Sequence, residues 1–207
     1  MEKLKVLESI KKLREGKKRN FNQSLDLIIN LKNFDVKKES VNLFLQLPHK
    51  VKDVKIAAFL NKKSNIIDTI TKQEFDIYKD KKKIKNLVKK YDFFISNANL
   101  MPLVAGTFGK FLGPQGKMPS PQLGIVKDET ENEIKNVIEK FSKIIRIKSK
   151  EPSLKFCVGK ENMKEEEIAE NVEIAYNTIL NVLPRKKENV KSVMIKFSMG
   201  KPIKIGI

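Results

Sequence analysis

The spacing of hydrophobic and polar positions changes along this 207-residue chain, and each change predicts a different kind of element. Leu4, Leu7, Ile10 and Leu13 fall on one side of a helix that is otherwise Lys- and Glu-rich and ends near Gly16. Leu25, Leu27, Ile29 and Leu31 then recur at every second position, which predicts a strand, and Val41 to Leu47 and Val54 to Leu60 read as two more. From about residue 62 the pattern alternates. It predicts a short helix around 64–70, a strand at Phe75 to Tyr78, a helix over 80–90, a strand at Tyr91 to Ser96 and a helix from Asn99 to Phe111. A helix from Thr130 to Ser142 follows, with Thr130 and Glu133 spaced as a capping box and Ile134, Val137, Ile138 and Phe141 apolar, and Ile144 to Ile147 closes the region as a strand. Such alternation favours a small three-layer domain around a mostly parallel sheet.

After Pro152 a strand is predicted at Leu154 to Val158, then a helix from about Lys164 to Val182 with Ile168, Val172, Ala175, Ile179 and Val182 inward. Glu165, Glu166 and Glu167 suit the positive end of its dipole, and Pro184 stops it. Val190 to Phe197 reads as a strand, and the tail from Pro202 to Ile207 as a last one. Strands at both ends around a βα middle suggest that the two termini share one domain.

Charge sharpens this picture. The chain carries 43 Lys and Arg against 25 Asp and Glu, a net charge of +18, and that excess calls for a polyanionic partner, nucleic acid first. Nearly all of it is lysine, with arginine only at 14, 19, 146 and 185, so bidentate reading of guanine in a DNA groove is poorly supplied. The densest block, Lys79 to Lys90, reads first as a solvated helix face. One cysteine, Cys157, and one histidine, His49, remove disulfide frameworks and Cys/His zinc sites, so no metal and no cofactor is expected. No apolar run approaches the length of a membrane span, and the charged start lacks the core of a signal peptide, so the expectation is a cytoplasmic protein with no membrane partner.

Catalytic parts are scarce. The chain has no GxSxG, HExxH or GxGxxG, and Gly109-Lys110 and Gly116-Lys117 are followed by Phe and Met where a P-loop needs Ser or Thr for Mg²⁺. His49 reads as a turn histidine with a structural hydrogen bond, and Cys157 as a small buried hydrophobe. Binding chemistry is better supplied. Lys17-Lys18-Arg19-Asn20-Phe21-Asn22-Gln23-Ser24 joins cations to an aromatic ring and polar side chains before a strand, offering phosphate, stacking and 2′-hydroxyl contacts together. Phe197-Ser198-Met199-Gly200-Lys201-Pro202 offers a hydroxyl, a flexible apolar group and a bare backbone, or else a plain turn between strands. Gly113-Pro-Gln-Gly-Lys-Met-Pro-Ser-Pro121, with two Gly and three Pro, specifies a shaped loop and a recognition surface.

In the loop taken from Gly109 to Pro121, in Lys18 to Ser24 with Asp26 and Ile28 to Lys32, in Leu47-Pro48-His49, in Val158-Gly159-Lys160 with Ile168-Ala169-Glu170-Asn171, and in Ser198-Met199-Gly200, the chain resembles the large-subunit ribosomal protein L-one family over nearly its whole length. The short chain and Lys201-Pro202 are closer to archaeal members. The resemblance implies an α/β fold of two domains: a discontinuous α+β domain, 1–61 with 152–207, and an inserted Rossmann-like three-layer α/β/α domain, 62–151. It implies a non-enzymatic protein, monomeric when free, that binds the lateral stalk of large-subunit rRNA, assists exit-site tRNA movement or release, and represses its own mRNA. Carried onto matching positions, the RNA site comprises Lys18, Arg19, Phe21, Gln23, Ser24, Lys155, Gly159, Lys160, Ser198, Met199 and Gly200, with Gly113, Gly116, Lys117, Met118 and Pro119 as a secondary loop. Gln115 stands where many members carry Arg, Lys117 where bacterial members have Leu, Ser120 where Asn is common, and Ser198 where Thr is common. The first of these weakens a phosphate role for the loop. Alternatives in other classes are a nucleotide-binding enzyme using the middle domain and a non-selective nucleic-acid chaperone.

Overall fold

Period-two alternation decides the central strand: β1, Ser24–Leu31, buries Leu25, Leu27, Ile29 and Leu31 and turns Ser24, Asp26, Ile28 and Asn30 to the other face. The structure is a computed structural model that describes residues 3–16, 19–35, 39, 41–120, 124–126, 129–149 and 151–205. It divides into two compact units, Met1–Lys52 with Lys143–Ile207, and Asp53–Ser142.

In the first unit β1 pairs antiparallel with β8, Ser153–Lys160, and with β9, Val190–Phe197, and β10, Ile203–Ile205, adds to β9. Strands from both ends of the chain thus share one sheet. Helices α1, Lys3–Arg14, and α5, Glu165–Val182, pack against each other and cover its buried face. Val6, Ile10 and Leu13 of α1 meet Ile168, Val172, Ala175 and Ile179 of α5 in one apolar core. Two predicted core positions fail. Leu4 is 75% exposed, with Val6 in its place, and Val182 is 47% exposed, with Leu183 buried after the helix ends.

A two-stranded sheet completes this unit: β2, Asn42–Gln46, runs antiparallel to β7, Ile144–Lys148, and Leu45, Leu47 and Ile147 join the same core. Ile144 to Ile147 was expected to close the middle region and instead returns to this unit. At Leu47-Pro48-His49 the turn is held by buried Asn171 of α5, whose Oδ1 accepts from His49 N at 3.1 Å and whose Nδ2 donates to Val158 O at 2.9 Å. His49 Nε2 lies 2.7 Å from Glu170 Oε2, the structural hydrogen bond expected of it.

The second unit is a parallel sheet in the order β4-β3-β5-β6, from Asp68–Ile70, Ile56–Phe59, Phe93–Asn97 and Ile125–Val126. All four β3 residues are buried, as a strand covered on both faces requires. One face packs α2, Lys81–Lys90, and α3, Met101–Gln115, around a cluster of rings in which Phe59, Phe75, Phe94 and Phe108 lie within 6 Å of a neighbour. The other face packs Ile134 and Phe141 of α4, Glu131–Ser142. In α2 the lysines lie outward and Ile84, Leu87 and Val88 inward, the solvated face read from sequence. The mixed α/β architecture is as expected, with three local corrections. Val54 to Leu60 belongs here rather than to the opening region; residues 64–70 form no helix but end in β4; and Phe75 to Tyr78 lies in a 3₁₀ helix, Lys72–Lys79, not a strand. In that last segment Thr71 N donates to Glu74 Oε2 at 3.1 Å, and this N-terminal closure outweighs a two-residue apolar alternation.

Candidate nucleic-acid interface

Antiparallel order brings four strand ends to one edge of the first unit's sheet: β1 and β10 begin there, and β8 and β9 end there. Ser24 sits opposite Lys160, and Leu25 opposite Phe197, so the segments flanking those residues converge. These are Arg19 to Gln23, Glu161 to Met163, and Ser198 to Lys201. They border a cleft of about 360 Å³ that also reaches Lys12, Arg14 and Gly16 at the end of α1.

Two apolar side chains stand out at this edge: Phe21 is 54% exposed and Met199 is 63% exposed. Neither is covered by the described residues. The backbone beneath them is well fixed. Ser198 N donates to Ser24 O at 3.0 Å, Ser198 Oγ to the same oxygen at 3.2 Å, and Gly200 N to Phe197 O at 2.9 Å. Arg19 is exposed beside them, and Lys160 half-exposed.

Gln23 is placed differently from its neighbours. It is 4% exposed, its Oε1 accepts from Met199 N at 3.3 Å, and its Nε2 donates to Glu161 Oε2 at 3.3 Å. Both ends of its amide face protein, so it ties the Phe21 segment to the Met199 turn rather than offering a contact. Its amide thus supports the edge from within. Gly159 is also buried, and a Cβ there would come 3.0 Å from Ile168 Cγ1, so glycine serves strand-to-helix packing. Gly200 contrasts with it. A Cβ there would meet only ordinary contacts at 3.5 Å, and no internal clash calls for a bare backbone. Lys155 faces Ile28, five positions from Lys160 along β8, which places it roughly 17 Å from the converging ends, with Glu151 at 3.1 Å. It shares the uncovered sheet face, not the edge cluster. Lys18 lies outside the described residues.

Sequence reasoning missed two supports. Arg14 Nη2 donates to Met163 O at 2.6 Å and to Glu161 O at 3.2 Å, and its Nη1 lies 3.3 Å from Glu165, fixing the turn after β8. Glu161 then receives Gln23. An arginine in the last turn of an amphipathic helix gives no signal for this, because its partners lie some 150 residues away in sequence. The uncovered sheet face was also missed. Its rows read Cys157–Asp26–Lys196, Lys155–Ile28–Met194–Lys204 and Ser153–Asn30–Ser192, the last joined by hydrogen bonds of 2.9 and 3.0 Å. Cys157 lies in the Asp26 row, half-buried and packed against the margin of the core; burial pushes its thiol pKa up, and its Sγ contacts Gly159 O at 3.2 Å. Burial likewise raises the Asp26 carboxyl, against the opposing pull of Lys196. Among the described residues no group of acids, histidine or cysteine could hold a metal ion.

The second half of the secondary loop turns inward, while Gly113, Pro114 and Gln115 are exposed. Gly113 to Gln115 form the last turn of α3, and Gly116 caps it with φ 63°. Lys117 N donates to Leu112 O at 3.0 Å, and its Nζ donates to Val88 O and Tyr91 O, each at 2.7 Å, closing the C-terminal end of α2. Met118 packs against the ring cluster, and Pro119 is buried. Gly116 thus serves as a helix cap and Lys117 as a staple between helices; Pro121 lies outside the described residues.

Comparison with known proteins bears on all of this. The ribosomal protein L1p/L10e family matches residues 13–201. The large ribosomal subunit protein uL1 of Pyrococcus abyssi is 37% identical over 97% of this chain and 95% of its own length. Those of Nanoarchaeum equitans and Methanothermobacter thermautotrophicus are each 34% identical, over 96% and 97% of this chain and 98% of their own lengths.

Proposed function

We propose, on the premise that this chain belongs to the ribosomal protein L1p/L10e family, that it is a non-enzymatic protein of the large ribosomal subunit in the cytoplasm, holding ribosomal RNA at the converging strand ends of its first unit. The observation that carries the reading is the pair of uncovered apolar side chains, Phe21 and Met199, on a rigid backbone edge with Arg19, Lys160 and Ser198 beside them. A base stacks on an exposed ring, phosphates pair with the cations, and a serine hydroxyl or bare backbone reads 2′-hydroxyls. The +18 charge supplies affinity, and the edge supplies selectivity. The polar rows of the sheet face extend the same surface.

The finer roles are that the protein grips the stalk RNA, assists exit-site tRNA movement or release, and represses translation of its own mRNA through a similar RNA element. They follow from the family resemblance. The test compares a stalk-type RNA with an unrelated hairpin of equal length at constant physiological salt. Wild type is expected to prefer the stalk RNA, and Phe21→Ala and Met199→Ala to lose that preference. Equal affinities in wild type indicate the non-selective chaperone instead. Repression of a reporter carrying the protein's own messenger leader should be relieved by the same two variants.

A further inference from the structure

The parallel sheet of the second unit has a reversal of chain direction between β3 and β5: the chain leaves β3 toward β4 on one side and β5 toward β6 on the other. In open α/β sheets the crevice beyond the carboxyl ends of the strands at such a point is where ligands bind. Here the residues at that point are Asn61 and Lys62, just after β3, and Asn97, the last residue of β5. All of them aim donors at one place. Asn61 N, Asn61 Nδ2 and Asn97 Nδ2 lie 2.8, 2.7 and 2.9 Å from one oxygen of Glu129, and Lys62 N lies 3.1 Å from the other.

Two successive backbone amides and two side-chain amides converging on an oxyanion form an anion nest, and its occupant is this chain's own carboxylate. Glu129 reaches it from the segment between β6 and α4. Burial alone would raise the pKa of its carboxyl, but the donated hydrogen bonds outweigh that and lower it, so the occupant is an anion at neutral pH. Beside Asn61 opens a cavity of about 470 Å³ lined also by Lys63, Thr71, Lys72 and Gln73. Among the described residues the cations lining it are Lys63 and Lys72, with Glu74 held by Lys63 at 2.9 Å and by Thr71 N. A phosphate group also presents a pair of adjacent anionic oxygens, on a tetrahedral rather than a planar centre and with more charge, and the neighbouring cavity has room for what is attached to it.

We propose that the carboxyl-end crevice of the parallel sheet is a phosphate site that the protein, when free, fills with its own Glu129. The chain's lack of a P-loop does not argue against this, since the donors here come from two strand ends. Phosphate and Glu129 compete, so entry of a phosphate releases the segment that leads into α4.

The experiment uses the full chain as wild type, Glu129→Ala and Glu129→Gln, titrated with inorganic phosphate, a 5′-mononucleotide and an RNA strand, each against chloride at matched ionic strength. The readouts are the backbone amide signals of Asn61 and Lys62 and the melting temperature. An internal anion that occupies the nest nine times in ten weakens phosphate binding about ten-fold, so Glu129→Ala should gain about that factor and recover its lost melting temperature in phosphate. Glu129→Gln, which keeps length and loses charge, should fall between the two and serves if the alanine variant folds poorly. Equal responses to phosphate and mononucleotide identify the phosphate group alone as ligand, and a tighter response to RNA identifies a backbone phosphate as its source. Glu129 is only a tether, and the proposal falls, if the Asn61 and Lys62 signals ignore all three probes or respond equally in all three proteins.

Discussion

The segment from Gly113 to Pro119 and the turn from Ser198 to Gly200 each combine glycine with a neighbouring lysine, yet they direct their groups in opposite ways. In the first, Lys117 reaches back to the carbonyls of Val88 and Tyr91, Met118 packs on rings and Gly116 caps a helix. In the second, hydrogen bonds hold only the backbone and the serine hydroxyl, and Met199 is left standing in solvent near an equally uncovered Phe21. A conspicuous motif marks many simultaneous constraints on the chain, and those constraints are architectural as readily as they are functional. The proposed binding edge is distinguished instead by two apolar groups that the fold has left exposed beside cations and a fixed backbone.

The strongest way to break this contrast is to measure RNA affinity across it. Phe21→Ala should cost about 1–3 kcal/mol of stalk-RNA binding, the range for one lost base–aromatic stack, or roughly 5- to 150-fold in dissociation constant. Lys117→Ala should leave that constant unchanged at fixed salt. A larger loss for Lys117→Ala than for Phe21→Ala, by filter binding or calorimetry, would reverse the assignment of the two regions.

Stability should show the opposite pattern. Lys117→Ala removes two hydrogen bonds from an ammonium to carbonyls at the end of α2, which predicts a loss of about 1–3 kcal/mol in denaturant unfolding. Phe21→Ala and Met199→Ala, at sites already open to solvent, should stay within about 0.5 kcal/mol of wild type.

How much of this was legible in the sequence follows from the range of each interaction. The strands of the first sheet were readable because Leu25 to Leu31 alternate, and local period reports which face is buried. Ile56-Ala-Ala-Phe59 was readable as a strand but was assigned to the wrong neighbours. Its unbroken apolar run, the mark of a strand covered on both faces, was the available signal that it belongs to a parallel sheet. Phe21 and Met199 were singled out through resemblance and residue type, and both side chains are exposed. That Gln23 and Gly159 are buried supports of this edge was not legible, because their burial depends on Glu161 and Ile168 far along the chain. Arg14 and Glu129 gave no local signal at all, since their partners are set by tertiary pairing.

The two glycines of the site sharpen the comparison at single-atom scale. Gly159→Ala should destabilise by about 1 kcal/mol or more, because Ile168 must give way to a methyl group at 3.0 Å. Gly200→Ala meets nothing closer than 3.5 Å and should change stability by less than about 0.5 kcal/mol while weakening RNA binding. A Gly200→Ala protein that binds stalk RNA as wild type does would remove close backbone approach from the site.

The smallest effect concerns Asp26, whose carboxyl lies half-buried on the uncovered sheet face with Lys196 paired opposite. Burial raises its folded-state pKa, so ionising it costs more in the folded chain than in the unfolded one. The sign is therefore the reverse of an ion-paired carboxylate: the charge destabilises at neutral pH, and stability is regained as pH falls through the folded-state pKa. Asp26→Asn should be slightly more stable than wild type above the carboxylate range, and the gap should close once both states of the wild type are protonated. Half-exposure and the screening it brings keep the gain small. Urea unfolding at neutral and acid pH checks it. A variant less stable than wild type at neutral pH would mean that Lys196 outweighs burial, and the sheet face would then be organised by internal charge pairing, as the Lys117 staple is, rather than left for a partner.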